Sequence, residues 1–190
     1  MMGPELVFMV EEASMENTLK AILPRLLPDG LAFKIIPHSG KGDLERSFPR
    51  KLRAWKNPRA RFVIVRDNDG GDCVALKSRL VETCTASGRP QSLVRIVCQE
   101  LEAWFLGDLR AVEHAGLAKD CAKLQAKKLF RNPDHIEKSK NKLIDLAPTY
   151  QPRNGSQAIA PHLSLDNNTS TSFNVFISGV RRVAEQMGTA

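Results

Sequence analysis

The chain has 190 residues, of which 42% are hydrophobic, and its formal net charge is +7. This length suits one compact α/β domain with a small helical addition rather than two full domains. No run approaches the roughly 20 apolar residues that a membrane-spanning helix needs. No basic region precedes the first apolar run, so we read no signal peptide. We therefore expect a cytoplasmic protein that does not associate with a membrane.

Short apolar runs alternate with amphipathic stretches over the first hundred residues. Strand patterns occur at residues 6–10, 32–36, 61–66 and 93–98, and helical spacing occurs at residues 14–26, 44–55 and 74–84. Strands and helices that alternate in this way form a mainly parallel sheet with helices on both faces. The predicted fold class is therefore α/β, with residues 1–106 as the core.

The remainder of the chain has a different composition. Residues 107–147 are basic and rich in alanine and leucine, residues 148–172 are rich in Pro, Gly, Asn, Ser and Thr, and residues 173–187 have helical spacing. We expect a helical, basic extension over residues 107–190, packed on the core, with a loop at 148–172. Because long loops that are not linkers are usually functional, residues 153–168 are expected over or beside the site. The alternative is a mobile surface loop.

Acidic residues follow three of the predicted strands. They are Glu11 and Glu12 after the first strand, Asp67 and Asp69 after the third with Asp72 just beyond, and Glu100 and Glu102 after the fourth. Parallel sheets bind ligands at the carboxyl ends of their strands. Carboxylates held within a few Å of one another repel, and a bound Mg²⁺ removes this repulsion. Carboxylate oxygens are also the hard ligands that Mg²⁺ prefers. The pattern predicts a site for Mg²⁺ or Mn²⁺.

Each acidic group also has a simpler explanation. The run DNDGG at residues 67–71 favours a turn, and the Glu11–Glu12 pair suits a helix N-terminus. Glu100 and Glu102 can be solvated, beside Trp104 and Phe105, which we expect in the core. A calcium loop fits less well, because its fifth position is Gly71. The four cysteines and four histidines lack zinc-site spacing.

Two groups of basic residues indicate a polyanionic partner. The first, at residues 46–61, contains Arg50, Lys51 and Arg53, and the second covers residues 119–142. Arg153 and His162, in the predicted loop, are further candidates for phosphate contact. Each group can equally be a solvated helix face. With the net positive charge, these residues favour nucleic acid as a partner.

Several motifs resemble known families. The run LVFMVE at residues 6–11, followed by a strand that ends in Asp67-x-Asp69, resembles the Toprim domain of topoisomerases, bacterial primases, recombination proteins and OLD-type nucleases. Over nearly its full length the chain also looks like a small bacterial Toprim-like family labelled only as a domain of unknown function. The motifs shared with that family are RDNDGGDC at residues 66–73, ELEAWF at 100–105 and PHLSLDNN at 161–168.

The resemblance implies roles for matched residues. Glu11 would be a metal ligand or general acid/base, and Asp67 and Asp69 would be the metal-binding pair. Glu100 or Glu102 resembles the acid that holds a second metal in OLD-type nucleases, and the sequence leaves the choice between them open.

The chain also departs from the family patterns. The usual glycine after the motif glutamate is Glu12 here, and Met15 stands where OLD-type enzymes carry an acid. The only tyrosine, Tyr150, lies in the loop-rich region, which counts against topoisomerase activity.

Three functions are compatible with these observations. The first is a Mg²⁺-dependent nuclease, which by resemblance would act with an ATPase partner in a phage-defence or DNA-repair module. The second is a non-catalytic nucleic-acid or nucleotide-binding subunit with a structural metal. The third is a phosphohydrolase of small substrates. In haloacid-dehalogenase-type enzymes the Asp-x-Asp motif usually ends the first strand, whereas here it follows the third, which counts against that function.

Overall fold

Four parallel strands form the centre of the fold. The computed structural model describes residues 2–188, with strands β1 (Glu5–Val10), β2 (Ala32–Pro37), β3 (Ala60–Asp67) and β4 (Leu93–Val97). Their order in the sheet is β2-β1-β3-β4, and each neighbouring pair is parallel. The predicted α/β class is confirmed, and the sheet is parallel throughout. No helix within residues 2–188 is long and apolar enough to cross a bilayer.

Helices cover both faces of the sheet. The connecting helices are α1 (Ala13–Leu26), α2 (Lys41–Ala54) and α3 (Cys73–Ala86), and α8 (Thr171–Gly188) ends the described chain. Because strand side chains alternate between faces, Val7 and Met9 pack with α2 and α3, whereas Leu6 and Phe8 pack with α1 and α8. The central strand β1 is therefore buried on both sides, as its continuous apolar run requires.

The residues between β4 and α8 form short helical pieces. They are α4 (Glu102–Leu106), α5 (Leu109–His114), α6 (Ser139–Leu146) and α7 (Pro152–Ile159), with 3₁₀ turns at Ala122–Ala126, Lys128–Arg131, Pro133–His135 and Ala160–His162. The prediction of a loop at 148–172 was wrong for residues 152–162. Proline at the first position of α7 fixes a helical φ where no backbone donor is needed. Gly155 leaves room for the ring of Tyr150 against that helix.

One hydrophobic cluster runs from the sheet into the extension. It joins Leu6 and Phe8 of β1 to Trp104 and to Phe173 and Phe176 of α8. The indole of Trp104 packs edge-on against Phe173 and at a tilt against Phe176, and it donates to Ser172 Oγ at 3.0 Å. Trp104 and Phe105 are completely buried, which confirms their predicted place in the core. Residues after 106 therefore share a core with the sheet.

Candidate functional site

Glu11 and Asp67 lie side by side at the carboxyl edge of the sheet. Glu11 directly follows β1 and Asp67 ends β3, and these two strands are neighbours. The backbone N–H of Asp67 donates to Glu11 Oε2 at 3.4 Å. The structure thus brings these two predicted residues together because parallel neighbouring strands end at the same edge.

The segment after β4 adds a third carboxylate. The backbone N–H of Leu101 donates to Asp67 Oδ2 at 3.1 Å, and Glu102 begins α4 one residue later. The hydroxyl of Tyr150 donates to Glu102 Oε1 at 2.8 Å. Both Glu102 and Tyr150 are buried. Their hydrogen bond therefore fixes the position of the Glu102 carboxylate.

Burial disfavours the ionised form of all three acids, and Asp67 is also repelled by the other two. Burial raises the pKa of Asp67 well above its usual range, and the charges of Glu11 and Glu102 raise it further. Burial also raises the pKa of Glu11, although Arg66 opposes this shift. The pKa of Glu102 is raised by burial against the lowering effect of its hydrogen bond from Tyr150. A bound cation would relieve this shared cost.

Asp69 belongs to the same edge but faces two cations. Its carboxylate lies 2.9 Å from Lys41 Nζ and 3.7 Å from the guanidinium of Arg66. Arg66 is buried, and its Nε also contacts Glu45 Oε1 at 2.9 Å. Asp69 still contributes negative charge that raises the pKa of Glu11 and of Asp67. Asp69 is therefore close to the other acids, but its own charge is already balanced.

The loops after β3 and β4 are joined by backbone hydrogen bonds. Asn68 N–H donates to Val97 O and Asp69 N–H donates to Gln99 O, both at 3.0 Å. Gln99 N–H donates to Asn68 Oδ1 at 2.5 Å. Asp69 and Gln99 both have positive φ, at 49° and 63°, a conformation that non-glycine residues rarely adopt. Such strain persists only where the surroundings enforce it, and it concentrates at functional sites.

The other predicted acids occupy supporting positions. Glu100 accepts the backbone N–H of Lys140 at 2.9 Å, so it anchors the first turn of α6. Asp72 caps α3 by accepting from the N–H groups of Val74 and Ala75. Glu12 is exposed and precedes α1. Of the pair that the sequence could not separate, Glu102 is therefore the one that acts electrostatically on Asp67.

The predicted phosphate contacts on α2 lie together near its C-terminal end, but their side chains have different surroundings. Arg50 is exposed, whereas Lys51 Nζ lies 2.8 Å from His38 Nε2 at the end of β2. Arg53 is in the last turn and donates to Ser87 Oγ beyond α3, at the edge of the sheet opposite the acids. The structure therefore does not bring these three residues to the acidic edge as one group.

The predicted overlying segment reaches the site only at its start. Helix α7 packs along α1, and Asn17, in the second turn of α1, donates to Arg153 O at 2.9 Å. His162 lies at the other end of α1, where Arg25 donates to the neighbouring carbonyl of Pro161. Since α1 has 14 residues, its two ends are about 20 Å apart. Arg153 therefore lies near the end of α1 that is closer to the acidic edge, and His162 lies near the far end.

Three residues of the site were not among the sequence-based candidates. Tyr150 orients Glu102, Arg66 pairs with both Glu45 and Asp69, and Lys41 neutralises Asp69. Arg66 and Lys41 had a weak signal, since one directly precedes Asp67 and the other lies between Gly40 and Gly42 after a strand. Nothing local marks Tyr150, which is 48 residues from Glu102.

The donor set fits a hard divalent cation. Within residues 2–188, no three His, Cys, Asp or Glu side chains stand close enough together to hold a metal ion as they are placed. Mg²⁺ does not need such a cage, because it binds through one or two carboxylates and completes its shell with water and substrate phosphate. Glu11 and Asp67 would hold it, with Glu102 beside them.

Comparison with known proteins places the chain in a family. Residues 10–181 match the family model described as Domain of unknown function (DUF4276). No curated protein and no solved structure matches the chain. The matched region includes the three carboxylates, Tyr150 and most of α8, so it covers the whole site, whereas β1 precedes it except for Val10. The chain therefore belongs to the DUF4276 family.

Proposed function

We propose that this protein is a Mg²⁺-dependent nuclease of the Toprim type. One observation carries the proposal: Glu11, Asp67 and Glu102 converge at the carboxyl edge of a parallel sheet, where burial raises the pKa of each and the charges of the other two raise that of Asp67 further. Such an arrangement is unfavourable without a cation, and perturbed carboxyls in one place are a signature of functional sites.

The side chains around the acids suit a phosphodiester substrate. Lys41 and Arg66 bring positive charge to within 4 Å of Asp69. The ammonium of Lys41 is largely exposed and can turn to a phosphate oxygen. When bound, Mg²⁺ polarises the scissile phosphate and activates water. The raised pKa of Glu11, which burial causes, applies to the metal-free edge; with Mg²⁺ bound, Glu11 would serve as an ionised ligand.

Nucleic acid is the proposed substrate, and an ATPase is the proposed partner. The net charge of +7 favours a polyanion. Arg153 is exposed near the end of α1 that is closer to the acidic edge, and Arg50 is exposed on α2, so both are available to a phosphate backbone. The ATPase partner, and a place in phage defence or DNA repair, rest on the resemblance to OLD-type nucleases.

A non-catalytic nucleic-acid-binding subunit is the second candidate. It is favoured by the contacts of Asp69, whose charge is balanced by Lys41 and Arg66 rather than left for a metal. In that case the acidic edge would hold at most a structural ion, and binding would depend on the basic residues alone.

Cleavage assays separate the two functions. The purified protein is incubated with linear and circular DNA and with RNA in Mg²⁺, in Mn²⁺ and in EDTA, with and without a candidate ATPase. If the protein is a nuclease, it should cleave a substrate in Mg²⁺ or Mn²⁺, and both EDTA and the Asp67→Asn substitution should abolish this cleavage. Asp72→Asn is the matched control, because asparagine also caps helices well. Metal binding without cleavage of any substrate would support the binding subunit instead.

A further inference from the structure

Two of the four cysteines lie against each other beside the acidic edge. The sulfur atoms of Cys73 and Cys98 are 3.7 Å apart. Cys73 is the first residue of α3, and Cys98 directly follows β4. The other two cysteines, Cys84 and Cys121, are buried elsewhere, at 1% and 3% exposure. The structure therefore contains one thiol pair and two isolated thiols that serve as internal controls.

The thiol pair is open to small molecules. Cys73 and Cys98 are both half-buried and line a groove of about 530 Å³ between α3, β4 and α8. The groove also contains Val74, Val81 and Val175, whose side chains are exposed. A small uncharged oxidant can reach both sulfurs through this groove, whereas Cys84 lies within the core.

We propose that Cys73 and Cys98 are a site of reversible oxidation that forms an intramolecular disulfide on exposure to a peroxide. This inference does not depend on the proposed nuclease activity. Asn68 Nδ2 donates to Cys73 Sγ at 3.0 Å, so this sulfur is already oriented by the loop that carries Asp67 and Asp69. The sulfur of Cys98 is the nearest partner for an oxidised Cys73.

The chemistry balances with hydrogen peroxide as the oxidant. The sulfur of Cys73 attacks one peroxide oxygen; the S–O bond forms as the O–O bond breaks, and the leaving oxygen departs as water with the thiol proton. The sulfur of Cys98 then attacks the sulfenic sulfur of Cys73. The S–S bond forms as the S–O bond breaks, and the hydroxyl departs as a second water with the proton of Cys98. Two thiols are oxidised and one peroxide is reduced.

Closing this bond would connect the two loops that carry the acids. Cys73 is four residues after Asp69, and Cys98 is two residues before Glu100. The disulfide would span 25 residues of sequence and would add a covalent link to the hydrogen bonds that already join these loops. A dithiol reductant would reverse it by thiol–disulfide exchange.

Peptide mapping under non-reducing conditions tests the proposal. The folded full chain is treated with excess peroxide, then unfolded, alkylated and digested. We expect a linked peptide pair containing Cys73 and Cys98 with a mass lower by two hydrogens, alkylated Cys84 and Cys121, and loss of the link after reduction. Cys84→Ala should form the same link, and Cys73→Ser should form none.

Three outcomes would overturn the proposal. These are a sulfinic acid on Cys73 with Cys98 still open to alkylation, a link between two molecules instead of within one, and no link at all after peroxide treatment. None of these outcomes bears on the nuclease assay, which is performed with the thiols reduced, so each proposal can fail alone.

Discussion

Replacing Asp67 with asparagine should change metal binding and metal-free stability in opposite directions. The amide keeps an oxygen that can accept the N–H of Leu101, now 3.1 Å from Asp67 Oδ2. Its NH₂ group can donate to the carboxylate of Glu11 or Glu102 where a negative charge now repels both. We therefore expect the metal-free variant to be more stable than the wild type by about 1 kcal/mol.

The response to Mg²⁺ should fall at the same time. At about 100 times its dissociation constant, a ligand stabilises the folded state by about 2.7 kcal/mol. For a chain of this size this raises Tm by about 5–11 °C. A hydrogen-bond partner of a metal ligand contributes about 10–100-fold in affinity, and a direct ligand contributes at least the upper end of that range. If the Mg²⁺ affinity falls about 100-fold, the same Mg²⁺ concentration stabilises the folded state by only about 0.4 kcal/mol. The Tm then rises by only about 1–2 °C.

Differential scanning calorimetry of wild type, Asp67→Asn and Asp72→Asn, each with and without Mg²⁺, measures both effects. Asp72→Asn should behave as the wild type, because Asp72 is exposed and its role is to cap α3. A full Mg²⁺ response in Asp67→Asn would show that Asp67 is not a ligand. A metal-free variant that melts below the wild type would refute the argument from repulsion.

Three further expectations concern the same cluster. The Tm advantage of metal-free Asp67→Asn should shrink as the pH is lowered, because the raised pKa of Asp67 means that it is protonated first in the folded state and its destabilising charge is then lost. An advantage that stays constant with pH in calorimetry would contradict this. Tyr150→Phe should lower the free energy of unfolding, measured by urea denaturation, by about 1.5–3 kcal/mol, because it removes the hydroxyl that donates to Glu102. Gly155→Ala should lower the free energy of unfolding by about 1–3 kcal/mol, because the new methyl group would clash with the ring of Tyr150. An unchanged urea midpoint would show that the ring can move.

The strands and the first three helices were predictable because their patterns are local. The run FVIV at residues 62–65 is typical of a buried strand. In the structure the strand extends a few residues further, over Ala60–Asp67. Pro49 lies inside α2, yet the helix continues through it. Burial of Leu44, Phe48 and Leu52 on one side supplies packing that outweighs the missing backbone donor.

The contacts of the acids depend on strand order, which local patterns do not contain. Lys41 reaches Asp69 only because β2 and β3 both lie near β1, although 28 residues separate the pair. The sequence predicted that acids would meet at one edge, since that follows from parallel strands alone. It could not rank Glu100 against Glu102, because the choice depends on Tyr150 and on the N-terminus of α6.

Helix α7 was missed for a compositional reason. Glycine, asparagine and serine are weak helix formers, and residues 152–156 contain all three. The helix forms because its buried side, with Gly155, Ser156 and Ile159, packs on α1. Tertiary contact therefore decided the structure of a segment whose own preference is weak.

The burial of Trp104 has a practical consequence for anyone who divides this protein into fragments. Its indole is enclosed by Phe173 and Phe176, which belong to the last helix. A fragment that stops at residue 106 would keep the sheet and all of the acids of the site but would present a tryptophan and the apolar face of β1 to solvent. Such a fragment would be expected to aggregate during expression, and an inactive or insoluble product would then say nothing about the chemistry of the acids.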